Sequence, residues 1–266
     1  MRLRCSCCET IGFFASPADA GGGGVRRPAS AGPVDPALTG DLVAANRILA
    51  REHVLDGYGH VSVRHHANPQ HFLLSRSLAP ALVTRADLIE YAADSEPVEG
   101  ETRGSYLERY IHGEIYRARP DVMAVVHSHS ASVIPFGISK TPIQPLFHMS
   151  GFLAQGVPIF DIREKFGMTD MLVSNNSMGA ALAEALADKP VAMMRGHGNV
   201  AVGSSIAEAV YRAIYTEVNA QIQRQAIGLD GPLTYLTREE GLKADTTVMK
   251  TISRPWELWK ANVVVE

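Results

Sequence analysis

Cysteine is nearly absent from this chain, and where it occurs it is confined to one end. All three cysteines, Cys5, Cys7 and Cys8, lie within the first eight of the 266 residues. The rest of the chain therefore has no thiols from which to build a disulfide framework. The motif CSCC also lacks a further cysteine with which to complete a thiolate zinc site.

Long apolar runs and an excess of charge are missing too. No segment approaches the roughly 20 apolar residues that a transmembrane helix needs, and the apolar patch at residues 11–14 is too short for a signal peptide. A formal net charge of −3 gives no basic footprint for nucleic acid. We therefore expect a cytoplasmic protein with neither membrane nor nucleic acid as a partner, whose function lies in a local site.

The chain divides into a short extension and one domain. Glycine, proline and serine are frequent up to about Pro36, which predicts a disordered extension over residues 1–37. From residue 38 to residue 266, helical and strand patterns alternate without a linker, which predicts a single α/β domain.

Apolar spacing predicts the elements of this domain. Helices are predicted in DPALTGDLVAANRILAREHVLDG, SYLERYIHGEIYRARP, SMGAALAEALAD and SIAEAVYRAIYTEVNAQIQRQAIG. Strands are predicted in HVSVRH, HFLLSRS, DVMAVVHSHS and PVAMMRG, whereas NVAVGSS is expected to be a turn. The chain from Leu229 onward is expected to be irregular.

Two histidines end the buried strand in AVVHSHSAS. Because alternate side chains of a strand point to the same face, His127 and His129 project together and can bind one metal ion. His197, between two glycines in MMRGHGNV, is the candidate third ligand, since glycine lets the backbone come close. Three neutral imidazoles leave open positions on a divalent ion, as catalysis requires. The alternative is that each histidine ends a strand as a hydrogen-bonded structural residue.

A carboxylate lies close to this pattern. Glu108 precedes His112 by four residues, in the first turn of the helix predicted over residues 105–119. This spacing places both side chains on one helix face, beside the apolar stripe. A partly buried carboxylate there could bind the metal or transfer protons. Alternatively, the two residues form a surface pair at the start of the helix.

Polar side chains alternate along the two strands that follow the first helix. They are His60, Ser62 and Arg64 on one face of HVSVR, and Ser75 and Ser77 on one face of LSRS, with Arg76 opposite. These groups could hold an anionic substrate, because arginine is a natural bidentate partner of a carboxylate. The alternative is a solvated strand face.

These motifs resemble the class II aldolase/adducin family. The resemblance rests on GHVSVR, a glutamate-bearing helix ending in IYRARPDV, AVVHSHS and MRGHGNV, in that order, over about residues 42–225. It implies a three-layer α/β/α fold with a central, mostly antiparallel sheet, assembled as a homotetramer with active sites between subunits. It also implies one divalent metal ion per subunit, bound by His127, His129 and His197. Glu108 falls where the family has its catalytic glutamate, which can visit the metal and move protons.

The sequence departs from the sugar-phosphate aldolases of this family in its phosphate-binding segments. His60 stands where those enzymes have an asparagine, LSRSLAP replaces their phosphate-binding turn, and SYLE replaces a serine pair. The segments FHMSGFL and VPIFDIR are more similar to another branch of the family. That branch contains decarboxylases of hydroxylated aromatic or pyridine dicarboxylates and prenylated-hydroxybenzoate oxygenases.

The resemblance therefore favours a metal-dependent lyase that decarboxylates a hydroxylated aromatic or pyridine carboxylate through a metal-stabilised enolate. Manganese or zinc is the expected metal, and Fe(II) suits the same ligands. Glu108 is the expected proton donor, assisted by His60 or Tyr215, whereas a role for Glu217 has weak support. Arg76 or Arg64 is expected to hold a second carboxylate, and His148 to line the pocket. The alternatives are an aldolase, a non-haem iron oxygenase and a non-catalytic adducin-like module.

Overall fold

A seven-stranded mixed sheet forms the centre of the protein in the computed structural model, which describes residues 27–263. The strands follow the spatial order β3-β2-β1-β4-β7-β6-β5, and all neighbours are antiparallel except β5 and β6. The strands are β1 (His60–Arg64), β2 (His71–Ser75), β3 (Leu88–Ala92), β4 (Ala124–Ser128), β5 (Ile159–Phe160), β6 (Val191–Met194) and β7 (Gly198–Gly203).

Helices cover both faces of this sheet. They are α1 (Pro36–Arg51), α2 (Arg109–Ala118), α3 (Ile134–Ile138), α4 (Arg163–Phe166), α5 (Asn176–Leu186), α6 (Ile206–Ile227), α7 (Arg238–Met249) and α8 (Ser253–Ala261). Three 3₁₀ segments lie at Pro80–Leu82, Arg85–Asp87 and His148–Gln155. Within residues 27–263, no helix is both long and apolar enough to cross a bilayer.

Two apolar cores, one on each face of the sheet, produce the three layers. On the first face, Leu42 of α1 and Tyr211 of α6 pack in one core with Val126 of β4. On the second face, Ile111 of α2 packs in another core with Val125 of β4. Because successive residues of β4 alternate between the two cores, His127 points to the same face as Val125, toward α2. The predicted α/β/α fold with a mostly antiparallel sheet is confirmed.

Local signals in the sequence explain where several helices begin. The Asp35 side chain accepts a hydrogen bond from the Ala37 N–H, and Pro36 occupies the first turn of α1. The Ser205 side chain accepts one from the Glu208 N–H at the start of α6. Thr237 and Glu240 form a reciprocal capping box at the start of α7.

Three predictions of secondary structure are corrected. The segment NVAVGSS is not a turn, because Gly198–Gly203 forms β7, a fully buried strand between β4 and β6. The chain beyond Leu229 is not irregular, since it contains α7 and α8. The helix predicted over residues 105–119 begins only at Arg109, so Glu108 is its N-cap residue and not part of its first turn.

Most of the predicted extension lies outside the residues that the structure describes. Residues 1–26 lie outside the described part of the chain, as do residues 264–266. In the part that follows residue 26, the Ser30 hydroxyl donates to the Glu90 carboxylate at 2.6 Å, and the Glu99 N–H donates to the Pro28 carbonyl at 2.9 Å. Helix α1 then begins at Pro36, so residues assigned by composition to a disordered extension pack against β3 and its following loop.

Candidate metal centre

Four side chains from three separate regions of the chain converge beside the end of β4. His127 lies on β4, His129 directly follows it, His197 lies in the turn between β6 and β7, and Glu108 caps α2. One ligand atom of each side chain lies within 4.8 Å of the ligand atoms of the other three. The structure thus brings together the three predicted imidazoles and the predicted carboxylate.

The two glycines beside His197 are needed for this convergence. Gly196 has a φ of +64°, a left-handed conformation that residues with a Cβ rarely adopt. A Cβ on Gly198 would lie only 2.0 Å from the Ser128 carbonyl oxygen, so the turn must pass directly against β4. As a result, His197 Nε2 and His129 Nε2 are 3.1 Å apart.

Backbone carbonyls orient two of the imidazoles toward the centre of the cluster. His197 Nδ1 lies 3.1 Å from the Met171 carbonyl and His127 Nδ1 lies 3.3 Å from the Asn199 carbonyl. A carbonyl can only accept, so both Nδ1 atoms carry the hydrogen, and Nε2 is the ring nitrogen that faces the cluster. Such a bond to the second ring nitrogen is the usual support of a metal-bound histidine.

Glu108 faces the imidazoles with one oxygen and is anchored by the other. Its Oε2 lies 3.4 Å from both His127 Nε2 and His197 Nε2, whereas Oε1 accepts a hydrogen bond of 3.0 Å from the Val173 N–H. Burial raises the pKa of Glu108, but the neighbouring His127 and His197 outweigh it and hold the pKa below its usual range. The carboxylate is therefore ionised at neutral pH.

The donor set fits a divalent cation. His127 Nε2 is fully buried and has no hydrogen-bond partner among the described residues, a costly state that a cation would relieve. Burial, together with His127 and His197, lowers the pKa of His129 to about 4, so this ring is neutral and its lone pair is available. Three imidazoles and one carboxylate suit Zn²⁺, Mn²⁺ or Fe²⁺.

A cavity of about 530 Å³ opens beside this cluster. His60, Glu108 and His129 contribute its polar wall. The lining also includes larger apolar and aromatic side chains, namely Tyr58, Leu78, Tyr106, Leu107 and Leu172. This size and composition are typical of small-molecule sites.

His60 lines the cavity next to the cluster of three histidines and Glu108. It pairs with His127 across β1 and β4, and the centroids of the two rings are 5.1 Å apart. Its Nδ1 contacts His112 Nε2 at 2.6 Å, which leaves Nε2 as the ring nitrogen for the cavity. Burial and the neighbouring His112 and His127 hold the pKa of His60 well below its usual value, so the ring is neutral.

The predicted serines and Arg76 have different positions. Ser77 lines the cavity, whereas the Ser75 hydroxyl is buried at 3.2 Å from the Tyr106 hydroxyl. Arg76 does not line this cavity, and its Nε donates to the Asp87 carboxylate at 2.6 Å. Of this group, only Ser77 can contact a molecule in the cavity directly.

Arg64, predicted to hold a substrate carboxylate, does not line this cavity and makes contacts of a structural kind. Its guanidinium is buried and donates to four backbone carbonyls, those of Pro69, Tyr116, Arg119 and Val122. Tyr116 and Arg119 lie at the carboxyl end of α2, where a cation satisfies unpaired carbonyls and opposes the helix dipole. Arg64 thus caps α2 at the end remote from Glu108.

Two further predicted residues lie outside the site of this chain. Tyr215 packs in the core on the opposite face of the sheet, 4.4 Å from the Tyr211 ring between centroids. His148 is exposed beside Phe147. The Glu217 carboxylate accepts from the Ser132 N–H at 3.2 Å and so holds the segment after His129 without lining the cavity.

Several contributors were not predicted from the sequence. The Tyr106 ring packs against His60 in a tilted arrangement, with a centroid distance of 4.6 Å, and lines the cavity. The carbonyls of Met171 and Asn199 and the N–H of Val173 are backbone groups, which leave no mark in residue identity. His112 was considered only as a surface partner of Glu108, but it is fully buried.

Comparisons with known proteins show the family of this chain. Residues 40–224 match the family model described as Class II Aldolase and Adducin N-terminal domain. The decarboxylase tropJ of Talaromyces stipitatus is 40% identical over 245 residues, which cover 84% of this chain and 92% of tropJ. A 3,4-dihydroxyphthalate decarboxylase of Arthrobacter keyseri is 32% identical over 72% of this chain and 79% of its own length.

A solved protein structure has a similar fold. The aldolase II superfamily protein of Pseudomonas syringae superposes with a TM-score of 0.72 at 25% identity, over 86% of this chain and 94% of its own. The extent of the family match, the identity to tropJ and the four converging ligands lead to one conclusion: this chain belongs to the class II aldolase and adducin family.

Proposed function

We propose that this protein is a metal-dependent decarboxylase of a hydroxylated aromatic acid, with manganese or zinc as its metal. The observation that carries the proposal is the convergence of His127, His129, His197 and Glu108 beside a largely apolar cavity, which Glu108 and His129 line. Two similar proteins named as decarboxylases, one of them a 3,4-dihydroxyphthalate decarboxylase, support an aromatic acid as the substrate.

The cavity suits a flat aromatic acid. Tyr58 and Tyr106 offer ring faces, and Leu78, Leu107 and Leu172 add apolar surface. Among the described residues, no lysine or arginine lines this cavity. A leaving carboxylate loses its charge as carbon dioxide forms, so a cation paired with it would stabilise the ground state more than the transition state. The lining therefore favours loss of the carboxylate over its retention.

A divalent ion held by the three imidazoles would act as a Lewis acid toward the substrate's hydroxyl oxygen. Glu108 moves the proton. Its ionised carboxylate accepts the hydroxyl proton and returns it to the ring carbon that carries the carboxylate, which converts the acid into a β-keto acid. The carbon–carbon bond then breaks, its electron pair returns to the ring, and carbon dioxide leaves. The ring oxygen finally takes a proton from solvent, so one proton is consumed per carbon dioxide released.

We further propose a cytoplasmic homotetramer in which a neighbouring subunit covers the cavity. Tyr58 and Leu107 line the cavity, yet their side chains are 72% and 64% exposed. Exposed apolar surface at the mouth of a site supports coverage by another chain. Sedimentation of the wild-type protein and of Leu107→Glu tests this assembly, which predicts a tetramer that the added charge dissociates.

The experiment for the reaction is a substrate panel with three readouts. Ortho-hydroxy benzoates, phthalates and pyridine carboxylates are incubated with manganese- or zinc-loaded protein while carbon dioxide, oxygen uptake and new carbonyl groups are measured. Carbon dioxide release without oxygen uptake is expected for at least one acid. Oxygen uptake with Fe(II) would replace the proposal with an oxygenase, and carbonyl products without carbon dioxide would replace it with an aldolase. If metal-loaded protein gives no carbon dioxide, no oxygen uptake and no new carbonyl groups with any acid, a non-catalytic module is favoured.

A further inference from the structure

A chain of four buried polar side chains leads from the cavity into the protein. His60 Nδ1 contacts His112 Nε2 at 2.6 Å, His112 Nδ1 contacts the Ser62 hydroxyl at 2.6 Å, and that hydroxyl contacts the Tyr116 hydroxyl at 2.7 Å. We call these four residues the His60 relay. All four are at most 3% exposed, so each short contact must contain one hydrogen and one lone pair.

The phenol at the far end determines which way these hydrogens point. Burial raises the pKa of Tyr116 well above its usual value, so the hydroxyl keeps its hydrogen. Among the described residues, the Ser62 hydroxyl is the acceptor that lies within reach of the Tyr116 hydrogen. Tyr116 therefore donates to Ser62.

The remaining contacts follow in order. Ser62 accepts from Tyr116, so its own hydrogen goes to His112 Nδ1. A neutral imidazole carries one N–H, which places the hydrogen of His112 on Nε2, where it is donated to His60 Nδ1. His60 Nδ1 accepts this hydrogen, so the hydrogen of the His60 ring itself lies on Nε2. Reversing the direction of these hydrogen bonds would leave the buried Tyr116 hydrogen without an acceptor, and an unpaired buried donor costs folding free energy.

We propose that the His60 relay fixes His60 as the tautomer with hydrogen on Nε2, which makes His60 a hydrogen-bond donor into the cavity. His112, Ser62 and Tyr116 are thus positioning residues that act through His60. In the proposed decarboxylation, on which this role rests, His60 donates to the substrate oxygen on which negative charge collects as the carbon–carbon bond breaks. A preorganised donor of this kind favours the transition state over the ground state.

The tautomer is directly measurable in the zinc-loaded protein. Protein labelled with ¹⁵N in its histidines is examined by long-range ¹H–¹⁵N correlation, with His60→Gln and His112→Gln used to assign the signals. The relay predicts a protonated Nε2 and an unprotonated Nδ1 in both rings. A protonated Nδ1 in His60 of the wild-type protein would overturn the proposal.

Removing the terminal hydroxyl tests the origin of the tautomer. Tyr116→Phe removes the phenol hydrogen that determines the direction of the hydrogen bonds in the relay. Both directions are then possible, so the Nδ1–H tautomer of His60 should appear. Tyr211→Phe is the matched control, since it also removes a buried phenol, which donates to the Met149 carbonyl at 2.8 Å outside the relay. Identical His60 signals in the two variants would contradict the relay. Ser62→Ala breaks the chain with little change in volume and should mix the tautomers as well.

Kinetics separate this proposal from the proposed function. Tyr116→Phe and Ser62→Ala should lower kcat by about tenfold, with KM changed less than twofold and metal content unchanged, because the lost interaction belongs to the transition state. Tyr211→Phe should keep the wild-type kcat. Absence of turnover in the wild-type protein would refute the decarboxylase while leaving the tautomer result intact. Turnover with a protonated His60 Nδ1 would refute the relay alone.

Discussion

His60 and His127 lie side by side on antiparallel strands, with their ring centroids 5.1 Å apart. One ring belongs to the metal cluster and the other to the cavity wall. This pairing places the proposed metal cluster and the proposed substrate cavity on neighbouring residues of one sheet.

Two amide substitutions of His60 should differ in effect. The side-chain nitrogen of Gln can reach the position of Nε2, so His60→Gln keeps a donor toward the cavity. His60→Asn places its amide near the position of Nδ1 and loses that donor. We expect kcat to fall about 100-fold in His60→Asn and about tenfold in His60→Gln, with the same metal content. Equal kcat values in the two variants, measured on the same acid, would argue against a donor role at Nε2.

Glu108→Gln should separate proton transfer from metal binding. Glutamine retains the oxygen that accepts from the Val173 N–H but cannot carry a proton between two substrate atoms. We expect kcat to fall by at least about 100-fold, while the three histidines still hold metal. Glu114→Gln, at a buried carboxylate of the same helix paired with Arg117, is the control and should keep its kcat. Unchanged turnover in metal-loaded Glu108→Gln would show that the proton travels by another route.

Arg64 should matter for stability and not for substrate affinity. Arg64→Ala removes a buried cation from four backbone carbonyls, so the free energy of unfolding should fall by about 3 kcal/mol. Lys243→Ala, at an exposed pair with Glu239, should cost about 0.5 kcal/mol. Urea titrations measure both values. A raised KM in Arg64→Ala at full stability would restore the substrate-binding role.

The loop before Glu108 should give the protein a specific acid sensitivity. An ion pair holds this loop against β3. The Glu101 carboxylate accepts a hydrogen bond of 2.5 Å from the Arg103 guanidinium, and Arg103 also donates to the Leu88 carbonyl at 2.9 Å. The hydrogen bond from Arg103 lowers the pKa of Glu101 to about 2, against 4.5 for an ordinary glutamate. Because the folded-state pKa is the lower one, the stabilisation is complete above pH 4.5 and disappears as the pH falls toward 2.

Glu101→Gln should therefore lower the free energy of unfolding by about 1 kcal/mol at pH 7. The difference from the wild-type protein should shrink between pH 4.5 and pH 2. Urea titrations at several pH values measure this difference, and Glu239→Gln, at an exposed pair with Lys243, is the control. A difference that stays constant down to the acid limit would mean that Glu101 contributes packing and not charge.

The convergence of the candidate metal ligands could be predicted from the sequence because simple local rules govern their positions. Alternation along β4 places His127 and His129 on one side, and the glycines around His197 permit the close turn that the structure contains. Glu108 was identified for its chemistry, but its exact place was not, since the helix start depends on tertiary contacts such as the one with Val173.

The errors have physical causes as well. The alternation of side chains along β1 places Arg64 on the same face as His60. It does not show that His60, at one end of the strand, lies at the cavity, whereas Arg64, at the other end, lies at the carboxyl end of α2. Strand β7 was assigned to a turn because glycines flank its short apolar run, although those glycines fit a crowded central position. Helix α7 buries little more than Gly241, so its apolar pattern is weak even though its capping box is present.

The most direct measurement of the central claim is a metal titration of activity. Metal-free protein is titrated with Mn²⁺ while bound metal and carbon dioxide release from the best acid of the panel are followed together. We predict that release rises in proportion to bound metal and levels off at one ion per chain, that a chelator reverses it, and that His66→Ala behaves like the wild-type protein. His127→Ala should bind less metal and release little carbon dioxide. Full release by the metal-free protein, or unchanged metal binding in His127→Ala, would contradict the account.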